Sequence, residues 1–256
     1  MSDFPGGLQP PNLPPPPPNF GPPPGYVAYG GPNNGAFSSY ERIGGIARTL
    51  GILVTIVVPL LVVTTALRSY LESRAKDYLA GRIDESQFRS SNGLYGLVSL
   101  VVAGLTLAIV VLTMIWMNKL AKNQQRLNRT GTWGPGWAIG GWFVPPCVLY
   151  VVPYLMFRDL WKSSDPDATH DWRTNPVAPI ISVWWVLYGL APIAFLTVTV
   201  GSFKFGTNTA DAARNLDKSG GITLISGIVQ IAAAVSYLVL VRQLSARQMR
   251  VTNESA

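Results

Sequence analysis

Residues 93–117 read GLYGLVSLVVAGLTLAIVVLTMIWM, a run without a single charged side chain. An α-helix rises about 1.5 Å per residue, so roughly 20 such residues cross the hydrocarbon layer of a bilayer. Four further uncharged blocks flank this one, at Thr49–Leu67, Gly131–Phe157, Thr174–Phe203 and Gly220–Val241. All are long enough to span. Four of the five are rich in Val, Leu, Ile and Ala and read as plain helices, because Pro59 in the first and Pro192 in the fourth are tolerated inside a membrane.

Composition points the same way. The chain of 256 residues is 48% apolar and only 13% charged, against about 25% charged in soluble domains. Too few charges are present to cover a globule of this length, so bilayer is the expected solvent. The net charge of +7 does not form a nucleic-acid face. The basic residues instead follow apolar blocks, as Lys119, Lys122, Arg126 and Arg129 after one and Arg242, Arg247 and Arg250 after another. That is the pattern of a cytoplasmic, lipid-facing bias, and no nucleic-acid partner is expected. Cys147 is the single cysteine and sits in an apolar stretch, so neither an internal disulfide nor a cysteine metal cage can form. The first apolar block has no basic leader running straight into it, and it is expected to stay as an anchor rather than be cleaved.

Residues 1–42 differ from the rest. Twelve of the 21 prolines fall before residue 41, including the run Pro14 to Pro18. Such a segment buries too little apolar area to offset its ordering entropy, and is expected to be disordered with polyproline II stretches. It contains Pro23, Pro24 and Tyr26 in a P-P-x-Y match. Preformed extended segments of this kind dock on aromatic grooves, so the tail is a candidate for cytosolic protein partners. A flexible spacer is the alternative.

The block at 131–157 is unlike the others. Gly134-Pro135-Gly136 opens it, Pro145-Pro146 divides it, and five of the eight Trp fall between Trp133 and Trp172. Proline pairs break helices, and Trp prefers the headgroup level. Residues 133–161 are therefore expected to form an interfacial or re-entrant segment rather than a fifth span. Charge parity agrees. If only four helices span, at about 46–67, 94–117, 180–200 and 222–241, then both basic segments and both termini face the cytoplasm. The basic residues of 68–92 oppose this orientation, although Glu72, Asp77, Asp84 and Glu85 accompany them.

Chemistry is sparse. The helix interiors hold no Asp, Glu, Lys or His, which argues against a proton-coupled pump. Gln230 lies near the middle of the last span, either as a substrate contact or as an interhelical hydrogen bond. Small-residue pairs such as Gly104 and Ala108, or Ala47 and Gly51, predict close helix approach, within the bundle or in a homo-oligomer. Asp165-Pro166-Asp167-Ala168-Thr169-His170-Asp171 gathers carboxylates beside the single histidine, but lacks the glycine and final Glu of a calcium loop. A solvated turn is expected, with no metal or cofactor. Hydrolase and phosphate-loop motifs are missing too. Around the Trp-rich block, Trp133, Trp137, Trp142, Arg158, Asp159 and Trp161 are candidates for a lipid-headgroup or partner contact, or for a simple aromatic anchor. Faint similarity links Ser91-Asn92-Gly93, Leu120 and Gln124 with Ser219-Gly220-Gly221, Leu244 and Gln248, suggesting two hairpins of the same orientation.

The run Trp133-Gly134-Pro135-Gly136-Trp137-Ala138-Ile139-Gly140-Gly141-Trp142-Phe143-Val144-Pro145, followed by Pro153-Tyr154 and Arg158-Asp159-Leu160-Trp161, resembles the signature of the domain of unknown function 4328 family. The resemblance covers roughly residues 45–250. It departs at Pro146-Cys147-Val148-Leu149, where the family has a more polar stretch with Asn. It implies an actinobacterial multi-pass protein of the bacterial plasma membrane, and it carries over no catalytic or binding residue.

The expected fold is all-α. A polytopic membrane helix bundle over 43–250 has about four spans, a Trp/Pro-rich segment and a disordered tail. The expected role is a non-enzymatic scaffold or accessory protein of the cell envelope. A small transporter or lipid-handling protein is the alternative, and a membrane enzyme the third.

Overall fold

The computed structural model describes residues 40–143, 151–168, 171–190 and 208–254. The tail motif at Pro23, Pro24 and Tyr26 lies outside them, as do Cys147 and His170. Six helices follow in order: α1 (Gly44–Leu79), α2 (Glu85–Arg126), α3 (Trp137–Gly140), α4 (Val151–Ser163), α5 (Pro179–Trp185, continued by a π-helical turn over Val186–Leu190) and α6 (Thr209–Thr252). No strand occurs among the described residues. α1, α2 and the part of α6 from Gly221 to Thr252 are each long and apolar enough to cross a membrane. Pro179–Gly189 is a shorter apolar helix. The span expected at 180–200 is thus helical as far as Leu190, and its remainder lies outside the described residues.

The long helices overrun their apolar cores. α1 has 36 residues, α2 has 42 and α6 has 44, so each is far longer than the roughly 20 residues a bilayer needs. Charges mark where hydrocarbon ends, but they do not end a helix when they pair along it. Arg89 meets Glu85 at 2.6 Å and Arg214 meets Asp211 at 2.9 Å, each within one turn. True ends come from caps. Asp84 accepts the Gln87 N–H at 2.8 Å and Asn208 accepts the Asp211 N–H at 2.8 Å. At the other termini Asn128 and Asn253 turn left-handed with φ 56° and 52°.

Side-chain contacts sort the helix termini into two ends. At the proximal end, Glu41 exchanges backbone bonds with the Asn123 side chain, and Glu254 accepts the Ile43 and Gly44 N–H groups. The starts of α1 and the ends of α2 and α6 therefore meet there, along with residues 40 and 254. At the distal end, Thr209 donates to Glu85 and Lys76 faces Asp217. Residues 131–165 leave and return at the proximal end: the Thr132 N–H donates to Asp159, and Arg129 holds Ser163 and Asp165. Asn175 is also proximal, through Asp165. Asn208 is distal, beside Thr209. Among the described residues α1, α2 and α6 run between the two ends, and the Trp/Pro-rich segment has its start and its finish at the proximal one.

Two apolar clusters hold the bundle. The larger joins Leu50, Val54, Trp116, Leu120, Phe157, Leu160, Trp184, Leu240 and Leu244. Aromatic contacts bridge four helices within it: Trp116 to Phe157 at 6.0 Å, Phe157 to Trp184 at 5.1 Å and Trp184 to Tyr237 at 5.9 Å. The smaller cluster, Leu71, Ala75, Phe88, Ala213 and Leu216, is distal. Outward, Leu97, Leu100 and Leu107 are 65%, 75% and 66% exposed, a surface that water would not tolerate on one helix and a bilayer would.

The predicted small-residue pairs differ in what they meet: Gly51 of the Ala47 and Gly51 pair faces Leu238 of α6, 3.9 Å from a Cβ position. A Cβ on Gly104 would meet nothing within 4 Å among the described residues. The close approach is at Gly227, where a Cβ would lie 2.5 Å from the Thr65 hydroxyl oxygen. Only glycine lets α6 sit this close to α1.

Candidate functional site

The Trp-rich segment begins on a support from α2. Asn118 donates to the Pro135 carbonyl at 2.8 Å, which places Gly134–Gly136 against the helix just before the short α3. Trp133 and Trp137 then meet edge to face at 5.3 Å. Trp137 and Ile139 are half exposed and Phe143 is 77% exposed, giving this limb an apolar outer face. On the inner side Ala138 is fully buried. A Cβ on Gly141 would strike both the Trp137 carbonyl and Val152 at 2.7 Å, so a glycine is required where α4 passes.

α4 runs back to the proximal end and delivers three of the candidate residues, each to a different neighbour. The Arg158 guanidinium lies 5.6 Å from the Tyr154 ring centroid on its own helix. Asp159 accepts the Thr132 N–H at 3.1 Å and so ties the two limbs together. Trp161 is not at an interface with lipid: it is 7% exposed and lies beneath Arg247 of α6, at 4.5 Å. The cation over its face replaces the expected headgroup contact. The six candidates therefore do not form one site. Trp133 and Trp137 are together, Asp159 is a brace, and Trp161 is core.

Sequence reasoning did not single out the residue with the most directed contacts here. Arg129 donates to three backbone carbonyls, those of Ser163 and Asp165 at 2.8 Å and Ala168 at 2.9 Å. The loop after α4 has no helix to satisfy these groups, and one planar guanidinium serves all three. Asp165 completes the clamp, paired with Arg247 at 2.9 Å and accepting from Asn175 at 3.3 Å. The acidic turn expected to be solvated is thus engaged at Asp165. Among the described residues no group of His, Cys, Asp and Glu is arranged to hold a metal. Ser164 donates to Gln248, and Gln124 and Gln248 are both almost wholly buried here. The faint internal echo thus falls on equivalent places, since Leu120, Gln124, Leu244 and Gln248 are all buried at the proximal end.

Deeper in the bundle a cavity of about 370 Å³ lies between α1, α2, α5 and α6. It brings together two candidates that are far apart in sequence, Trp142 and Gln230. Thr113 and Tyr237 are hydrogen-bonded in its wall. The Trp142 indole N–H has no partner among the described residues. No described residue hydrogen-bonds Gln230. Thr106 and Tyr188 also line it, and the remaining lining is apolar, from Val54, Leu61 and Ile109 to Ala233. Such a chamber suits a largely apolar molecule with a few polar atoms.

A helical membrane protein with a Trp/Pro-rich segment that starts and finishes at one end is the class that this geometry defines. The family model for the domain of unknown function (DUF4328) matches residues 80–246, and the chain belongs to that family. No curated protein and no solved structure matches it.

Proposed function

We propose that this protein is a non-enzymatic scaffold of the bacterial cell envelope, whose N-terminal tail recruits cytosolic proteins to the plasma membrane. The observation that carries the reading is the root of the tail. Glu41 is bonded through its backbone to Asn123, and its carboxylate faces Lys119 at 3.8 Å and Arg126 at 3.3 Å. The point where the chain enters the bundle is thus fixed at the proximal end, among basic residues. The same end carries Lys122, Arg129, Arg242 and Arg250, which supports a cytoplasmic orientation. Three carboxylates of this end are engaged structurally: Asp159 by Thr132, Asp165 by Arg247 and Glu254 by the start of α1.

The test is proximity labelling in the native host, comparing the full chain with one lacking residues 1–40 and with Pro23→Ala/Pro24→Ala/Tyr26→Ala. A defined set of cytosolic proteins captured by the full chain alone is the expected result. Identical captures from all three would overturn the reading. The cavity favours a second reading, a small transporter or lipid-handling protein. Flux of an apolar solute in liposomes, abolished by Gln230→Leu, would support it.

A further inference from the structure

A second concavity lies on the outside of the bundle. It is an open groove of about 910 Å³ between the first turns of α1 and the last turns of α6. Arg48 and Arg242 flank it. Arg48 is the last charge before the apolar run of α1, and Arg242 is the first after that of α6. The two helices are antiparallel, with Gly44 bonded to Glu254, so both guanidiniums stand at the level where hydrocarbon gives way to headgroups. Both are exposed, and neither has a hydrogen-bond or ion-pair partner among the described residues.

Towards the hydrocarbon the groove becomes small and then apolar. A Cβ on Gly51 would meet only Leu238, at 3.9 Å. Ile52 and Ile56 continue the wall, 54% and 46% exposed. The floor holds an independent sign of a missing partner. Ser245 is 2% exposed, lines the groove, and its hydroxyl has no hydrogen bond. A buried hydroxyl left in this state calls for an acceptor. The helix terminus itself is not the anion site, because both Glu254 carboxylate oxygens already accept its N–H groups.

We propose that this groove binds an anionic phospholipid. The phosphodiester lies between Arg48 and Arg242, an ester or headgroup oxygen accepts from Ser245, and one acyl chain follows Gly51, Ile52 and Ile56. Charge selects the lipid: a choline headgroup would set its ammonium against two guanidiniums, whereas a glycerol headgroup leaves the phosphate charge uncompensated. The site is independent of the scaffold reading and of the inner cavity.

Native mass spectrometry of the full chain, taken from micelles with equal phosphatidylglycerol and phosphatidylcholine, tests it. The wild type should retain one phosphatidylglycerol with a preference of roughly thirtyfold, as two cations near a lipid phosphate imply. Arg48→Gln/Arg242→Gln should retain the two lipids equally, and Ser245→Ala should lower the amount of phosphatidylglycerol retained. Arg250→Gln, an exposed cation of the same end outside the groove, should leave it unchanged. Equal retention by the wild type would overturn the proposal. So would a loss in Arg250→Gln as large as in the double variant, which would mean general charge attraction. Circular dichroism of each variant confirms that helix content is kept.

Discussion

The proximal and distal ends of the bundle are closed in different ways. Distally, α1, α2 and α6 arrive as regular helices whose ends are closed locally, α2 by the Asp84 cap and α6 by the Asn208 cap. Only side chains remain to be joined. Phe88 stacks on Tyr78 at 5.3 Å over Leu71, Ala75, Ala213 and Leu216, and exposed ion pairs surround them. Proximally, irregular segments at 127–136 and 164–168 bring carbonyls that no helix satisfies. The closure there is polar, through Arg129, Asn123, Asn175 and the Ser164–Gln248 bond. Apolar burial suffices where the backbone is self-contained, and directed donors are needed where it is not.

The largest test of this contrast removes the distal plug. Phe88→Ala should cost about 3 kcal/mol or more, since Phe88 is 2% exposed in a small cluster with little else to fill the space. Hydrogen exchange should rise over residues 85–95 and stay unchanged over 116–126. Equal loosening at both ends would show that the two closures are one cooperative unit. Next, Arg129→Met strips three carbonyls of their donor while keeping the bulk of the stem, and should cost roughly 2 kcal/mol. Thermal unfolding in detergent and exchange at 164–168 would report it, with the distal cluster unaffected.

The smallest effect is acid sensitivity of the distal end. The Gln87 N–H and the Ser86 hydroxyl hold Asp84 below its ordinary carboxyl value of 3.8. The Thr209 hydroxyl, helped by Arg89, holds Glu85 below 4.5. A carboxylate with a depressed folded value stabilises above its ordinary value, and that contribution is lost as the pH falls through the folded one. Acidification below about pH 4 should therefore speed exchange in the first turn of α6. Glu85→Gln should blunt this response, and an unchanged pH response in that variant would assign the effect elsewhere.

Some of this could be read directly from residues. Uncharged runs located the apolar middles of α1, α2 and α6, because solvent preference is a property of each residue and its immediate neighbours. Pro145-Pro146 and the Gly/Trp run set 133–161 apart, and the charge pattern anticipated basic segments at one end. Helix lengths were not legible, since a charge flanking an apolar run marks hydrocarbon and not a helix end.

Folding decided what each polar residue does. Trp161 reads like an interfacial anchor until Arg247, 86 positions on, is brought over its ring. Arg129 reads like one more cytoplasmic charge until α4 returns and leaves three carbonyls within its reach. Gln230 and Trp142 share a cavity that no local pattern announces. The sequence by itself determined the solvent of each segment, the helical class and the place where regular structure stops. Partnership was left to the tertiary structure, because a hydrogen bond requires two groups at about 3 Å in the right direction, and only the folded path of the chain sets which groups those are.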